Sequence, residues 1–354
     1  MVNSVTKTFG ILTGGGDCPG LNAAIRGVCR AASTRYAMAI LGIANGYRGL
    51  IDGDVRVLGP QDFSGILTTG GTILGAGREK PFDDIGGDKV TAIKECYHRY
   101  NLDCLVVLGG NGTITTGWRL AQEGLNVLGL PKTIDNDIVG TDLTFGFQSA
   151  VAIGTEAIDR LHSTAHSHNR VMVVELMGHK AGWLALYAGV AGGGDVILLP
   201  EIPYDIQAVA RHLVKRAQAG KAFSIVVVAE GALSIEEAGL EKKERKRRRE
   251  QTASIGYRVA KEIEEETGMT ARTTVLGYVQ RGGVPCAEDR ALATSLGVAA
   301  ADLLAQGKYG KMTAVVGREI RSVDLNVPAG KVKSVPLNHY LLDTAEAVET
   351  CLGR

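Results

Sequence analysis

No apolar run in the 354-residue chain approaches the roughly 18 residues that a membrane-spanning helix needs, so the sequence offers no membrane span. Charge of one sign is also missing. The formal net charge is +1, which gives no overall field to draw the chain onto nucleic acid or an acidic membrane surface. Aromatics are scarce, at 5%. The six cysteines are Cys18, Cys29, Cys96, Cys104, Cys286 and Cys351; none stands at C-x-x-C spacing or beside a His cluster. Free thiols are therefore expected, and no zinc site. The opening residues, MVNSVTKTFG, lack the apolar core of a signal peptide. Together these absences predict a cytoplasmic protein in a reducing compartment. No short repeat or low-complexity linker marks a boundary.

What is abundant is glycine, at 47 residues, roughly twice average usage. The glycines end apolar runs. Short Val-, Ile- and Leu-rich segments recur at 8–15, 104–110, 126–131, 170–178, 195–201, 223–231, 273–279 and 312–317. Helix-like stretches such as 22–33 and 205–220 lie between them. This alternation predicts βαβ units and a parallel sheet covered on both faces. Such sheets bind ligands beyond the carboxyl ends of their strands. A charged stretch at 236–251 interleaves Glu with Lys and Arg and has no aromatics, which reads as a solvated helix or loop.

Three turns carry the chemistry. Thr13-Gly14-Gly15-Gly16-Asp17-Cys18-Pro19-Gly20 closes one strand and opens a helix, where glycines let backbone N–H groups approach a phosphate. It is neither a Walker A loop nor G-x-G-x-x-G. Gly109-Gly110-Asn111-Gly112-Thr113 follows a buried strand. Asn111 offers Mg²⁺ only a neutral carbonyl oxygen, a weaker ligand than a carboxylate. In Pro131-Lys132-Thr133-Ile134-Asp135-Asn136-Asp137, two acids can divide the work of accepting a hydroxyl proton and holding a metal. Lys132 adds a positive charge.

These motifs, with 144–150, 175–178 and 275–283, resemble the 6-phosphofructokinase family in order from about residue 8 to about 310. The Pro-Lys-Thr form and the run 177–183 look most like its mixed branch, which contains ATP-using and pyrophosphate-using enzymes. The resemblance implies α/β architecture: two doubly wound, mostly parallel-sheet, Rossmann-like domains with the active site in the cleft between them. A donor-binding domain would take 1–139 and about 281–318, and a sugar-phosphate domain 140–280 and about 319–354. It implies Mg²⁺-dependent transfer of a phosphoryl group from ATP to the C1 hydroxyl of fructose 6-phosphate. Asp135 would be the base, beside Asp137, Thr133 and Lys132. Asp137 and Asn111 would hold the metal. Gly16, Tyr47, Arg78, Gly110, Asn111, Gly112 and Thr113 would contact the donor. Thr133, Asp135, Arg170, Met177, Gly178, His179, Glu230, Arg272, Tyr278 and Arg281 would contact the sugar phosphate. Some of these arginines cross a subunit boundary in the family, so a homo-oligomer, usually a tetramer, is implied.

Three positions depart from the family pattern: Asn111 for an acid, His179 for an arginine, and Tyr278 for a histidine. Gly112 leaves room for the α-phosphate of ATP, whereas Lys132 is typical of pyrophosphate enzymes. ATP is the expected donor, with a reversible pyrophosphate enzyme as the alternative, and sedoheptulose 7-phosphate as a further substrate. A weakly catalytic, sugar-phosphate-binding regulatory paralogue is the reading of a different class. Arg26 and Arg30 match effector-site arginines, but His162 and the run Lys221-Ala222-Phe223 lack expected cations. Weak or absent allostery follows as an expectation.

Overall fold

A computed structural model describes residues 6–83, 88–251 and 254–354. The order of elements is β1 (Thr8–Thr13), α1 (Leu21–Tyr36), β2 (Ala39–Ile43), α2 (Tyr47–Asp52), β3 (Val55–Val57), α3 (Lys89–Arg99), β4 (Cys104–Gly109), α4 (Asn111–Gln122) and β5 (Val127–Pro131). Then come α5 (Phe147–His168), β6 (Val171–Leu176), α6 (Trp183–Ala191), β7 (Val196–Leu198), α7 (Ile206–Gln218), β8 (Ser224–Ala229), α8 (Ile235–Ala238), α9 (Lys242–Gln251) and α10 (Ile255–Thr267). The chain ends with β9 (Ala271–Val275), α11 (Ala287–Ala305), β10 (Lys311–Val316), β11 (Glu319–Asp324) and α12 (Tyr340–Ala347). Among the described residues, no helix is long and apolar enough to cross a membrane.

The chain divides into two compact units: 1–134 with 138–149 and 281–332, and 135–137 with 150–280 and 333–354. The first holds a seven-stranded sheet in the order β11-β10-β5-β4-β1-β2-β3. Its five inner strands run parallel, and β11 and β3 pair antiparallel at the two edges. β1, β4 and β5 are buried almost throughout, as strands covered on both faces must be. α1 packs on α11 through facing glycines: a Cβ on Gly27 would lie 2.7 Å from the Thr294 carbonyl, and one on Gly297 would lie 2.7 Å from that of Ala24. The second unit holds a four-stranded parallel sheet, β7-β8-β6-β9.

Two expectations change. Residues 319–324 were grouped with the sugar-phosphate domain, but β11 pairs with β10 along its full length and so belongs to the first sheet. The return to the second unit comes at Lys333 instead. The apolar run 273–279 ends as a strand at Val275, because Gly277 turns with φ 51 into a short 3₁₀ segment. The charged stretch forms α8 and α9, and most of its described side chains are exposed.

Candidate active site

In the first unit, three turns leave the carboxyl end of the sheet side by side. Thr13 lies opposite Leu108 and Gly109 opposite Pro131, so the turns after β1, β4 and β5 emerge from adjacent strands at one level. Strand order reverses between β1 and β4. The carboxyl edge beside such a reversal is where open parallel sheets bind ligands.

The turn after β1 is pinned from two directions. The Gly14 N–H donates to the Leu108 carbonyl at 2.9 Å and the Gly15 N–H to that of Gly77 at 2.8 Å. Arg78 follows Gly77 and is exposed. Two cations reach this turn. The Lys132 ammonium donates to the Gly16 carbonyl, although Lys132 is only 2% exposed. Arg281 donates from Nη1 to the Asp17 carbonyl at 3.1 Å, and a Cβ on Gly16 would stand 2.9 Å from that same nitrogen. Arg281, expected among the sugar-phosphate contacts, thus faces the first turn.

The turn after β4 starts α4, with Gly110 as N-cap, no side-chain cap bond and no acid in the first turn. The positive end of that helix suits an anion. Gly109 is required by space, since a Cβ there would lie 2.2 Å from Thr113 Cβ. A Cβ on Gly112 would meet nothing within 4 Å. Tyr47, expected as a nucleotide-side aromatic, is buried in the core instead, and its hydroxyl donates to the Thr113 carbonyl at 2.8 Å. Burial pushes its phenol far above the usual value. Its ring therefore braces the first turn of α4 and presents no open face.

After β5, Lys132 N–H donates to the Gly109 carbonyl at 3.1 Å, and Thr144 Oγ1 to that of Thr133 at 2.7 Å. Asp135 and Asp137 are 8% and 4% exposed. Asn136 between them is left-handed, with φ 51. The chain leaves the first unit after Ile134 and returns to it at Ile138.

In the second unit, Leu176 lies opposite Ala229, so Met177–His179 and Glu230 leave adjacent strands. The His179 N–H donates to Glu230 Oε1 at 2.6 Å. The Met177 N–H donates to Gln280 Oε1 at 2.7 Å. Burial raises the Glu230 pKa and the charge of Asp135 adds to this, while the N–H groups of His179 and Gly178 oppose it. Gln280 was not among the expected residues. Its Gly-Tyr-Val-Gln-Arg run marked the place, but only the fold reveals that it holds the Met177 backbone. Tyr278, two residues earlier, is 73% exposed.

Arg170 and Arg272 do not join this group. Arg170 precedes β6, and Arg272 pairs with Met172, so both sit at the amino ends of their strands. From Arg170 to Met177 is roughly 23 Å of strand, at about 3.3 Å per residue, beyond the reach of a side chain. Arg272 pairs with Glu264 at 3.5 Å. Of the effector positions, Arg30 is exposed and Arg26 half-buried. His162 Nε2 is tied to the Gly192 carbonyl at 2.7 Å, and its ring sits edge-on to Phe223.

Residues 8–304 match the family model described as phosphofructokinase. The chain is 64% identical to the ATP-dependent 6-phosphofructokinase of Spirochaeta thermophila, over 100% of this chain and 99% of that one. It is 46% identical to the pyrophosphate–fructose 6-phosphate 1-phosphotransferase of Amycolatopsis methanolica, over 94% of this chain and 97% of that one. The solved structure of Pichia pastoris phosphofructokinase in the T-state matches with a TM-score of 0.81 at 32% identity, covering 92% of this chain and 35% of that one. This chain thus spans about a third of that chain's length. The chain belongs to the phosphofructokinase family.

Proposed function

We propose that this protein is a 6-phosphofructokinase that transfers a phosphoryl group from ATP to the C1 hydroxyl of fructose 6-phosphate, giving fructose 1,6-bisphosphate. The observation that carries the choice of donor is the open space at Gly112, at the start of the uncapped helix α4. An inner phosphate of ATP needs that space. The Spirochaeta relative, named for ATP, points the same way. The first unit would bind the donor and the second the sugar phosphate.

In the reaction, Asp135 takes the C1 hydroxyl proton as the C1 oxygen attacks the terminal phosphorus in line. The P–O bond to ADP breaks and the electron pair leaves with ADP. Lys132, Arg281 and the amino end of α4 oppose the negative charge on the polyphosphate. Glu230 and the backbone of Met177–His179 would hold sugar hydroxyls. Mg²⁺ supplies further charge neutralisation when bound. Asp137 would hold it, with Asn111 contributing a carbonyl oxygen. Among the described residues no cluster of three His, Cys, Asp or Glu forms a metal cage. That donor set suits an ion that keeps waters and binds chiefly through substrate phosphates.

The placement of Arg170 and Arg272 at the far strand ends supports a homo-oligomer, such as a tetramer, in which they serve the sugar phosphate of a neighbouring subunit. His162, tied to its own chain, supports weak effector binding. Cytoplasmic location agrees with six free cysteines, four of them buried.

A second reading, a pyrophosphate-dependent enzyme, is favoured by the ammonium of Lys132 at the first turn and by the Amycolatopsis relative. The test is Asp135→Asn. Fructose 6-phosphate and ATP should still bind by calorimetry while turnover falls by at least about 100-fold, the scale of general-base loss. Undiminished turnover would contradict the assignment.

A further inference from the structure

The segment that returns the chain to the second unit grips the acid loop. Lys333 is its first residue. The Lys333 backbone N–H donates to the Asp137 carbonyl at 2.7 Å, and its ammonium donates to Asn136 Oδ1 at 3.2 Å. Lys333 is itself held. Its carbonyl accepts from Trp183 Nε1 at 2.9 Å, and its ammonium lies 5.4 Å from the centroid of that indole. Trp183 opens α6, is buried, and stands edge-on to His339 at 5.2 Å. Two residues on, the Val335 N–H donates to Glu201 Oε1 at 2.9 Å, and the same carboxylate accepts the Gly182 N–H at 3.0 Å. The Trp183 end of α6 and the 333–335 strap are thus tied by one direct hydrogen bond and by a bridge through the Glu201 carboxylate.

The bonds from Lys333 bracket an unusual residue. Asn136 has left-handed backbone, a conformation that Asn adopts more readily than other residues with a Cβ and that turns the chain sharply between the two acids. Lys333 holds the Asn136 side chain and the Asp137 carbonyl together. The direction of the chain at Asn136 decides where the carboxylates of Asp135 and Asp137 stand. We propose that Lys333, locked by Trp183, is a positioning residue for that acid pair. The inference rests on the phosphofructokinase reading above.

The test is steady-state kinetics with fructose 6-phosphate and ATP, and with pyrophosphate in parallel, on Lys333→Met, Lys333→Arg, Asn136→Ala and the Lys333→Met/Asn136→Ala pair. Lys333→Met keeps the backbone bonds and loses only the ammonium. It should lower kcat by roughly 10- to 100-fold, the cost of a displaced reacting group, with KM for fructose 6-phosphate within about twofold. Lys333→Arg should recover most of the loss. The double variant should fall no further than the worse single one, because both changes break the same link. Wild-type kcat in Lys333→Met, an effect on KM alone, or additive losses would overturn the inference and leave the phosphofructokinase reading intact. An inactive wild type with both donors would overturn the reading and the inference with it. Should Lys333→Met melt far below wild type, Trp183→Phe removes the indole donor and keeps a ring. It should lower kcat with KM unchanged, and full activity there would overturn the inference.

Discussion

Replacing Gly112 by Asp separates the fold from the donor site. A Cβ at Gly112 meets nothing within 4 Å, and its φ is not among the positive values recorded for glycines. It is the second residue of α4. Exchanging a helical glycine for Asp, itself a weak helix former, relieves only about 0.3 kcal/mol, and an acid in the first turn adds about 0.3–1 kcal/mol. The variant should therefore melt at or slightly above the wild-type temperature. For ATP the sign reverses. Two unit charges about 4 Å apart repel by about 4 kcal/mol at an effective dielectric of about 20. Gly112 is exposed, so water and salt screen part of this, leaving about 1.4–3 kcal/mol. That corresponds to ATP binding weakened about 10- to 100-fold. Calorimetric titration with ATP, pyrophosphate and fructose 6-phosphate reads the effect. ATP should weaken, pyrophosphate should weaken less, and fructose 6-phosphate should not change. A folded variant with wild-type ATP affinity would refute the argument, because the inner phosphates would then lie elsewhere.

Other outcomes follow from the same geometry. Gly109→Ala would press a methyl against Thr113 Cβ at 2.2 Å, so the start of α4 must shift. A loss of about 1–3 kcal/mol, several degrees in Tm, and weaker donor binding should appear together by calorimetry. The raised pKa of Glu230 gives a pH dependence of known sign. Its accepting carboxylate forms only as pH climbs above the ordinary glutamate range, so affinity for fructose 6-phosphate should rise through that window, and Glu230→Gln should flatten the limb. Because the folded state holds this proton more tightly than the unfolded chain, Glu230's contribution to stability declines as pH rises through the same window. Burial pushes the Cys18 thiol up to about 12, so iodoacetamide at pH 8 should leave it unmodified in the native protein while the partly exposed Cys286 and Cys351 react first. Mass spectrometry of the alkylated protein would show otherwise if the first turn opened readily.

The buried parallel strands were legible because strands covered on both faces must be continuously apolar, as in Leu105–Leu108 and Ile225–Val228. β11 was not legible. It is an exposed edge strand, Glu-Ile-Arg-Ser-Val-Asp, with no apolar run, and missing it misplaced the second domain boundary. The glycine-rich turns at the strand ends were legible because glycine stands there where a Cβ would press on a neighbouring side chain, Thr113 at Gly109 and Arg281 at Gly16. Tyr47 was misread because an aromatic beside a glycine-rich turn gives no sign of whether its ring points to ligand or to core. Arg170 and Arg272 depend on strand register for their meaning, since both lie at the strand ends remote from Met177 and Glu230. The hold of Lys333 on Asn136 and Asp137 joins residues nearly 200 positions apart, and no local pattern encodes it.

The most direct measurement is turnover of fructose 6-phosphate by the wild-type protein with Mg²⁺, with ATP and pyrophosphate in parallel and fructose 1,6-bisphosphate as the product measured. Fructose 1,6-bisphosphate should form from ATP, with little or none from pyrophosphate. Product from pyrophosphate alone would mean that Lys132 outweighs the space at Gly112. No product from either, with fructose 6-phosphate still bound, would contradict the enzyme assignment and favour a sugar-phosphate-binding regulatory protein.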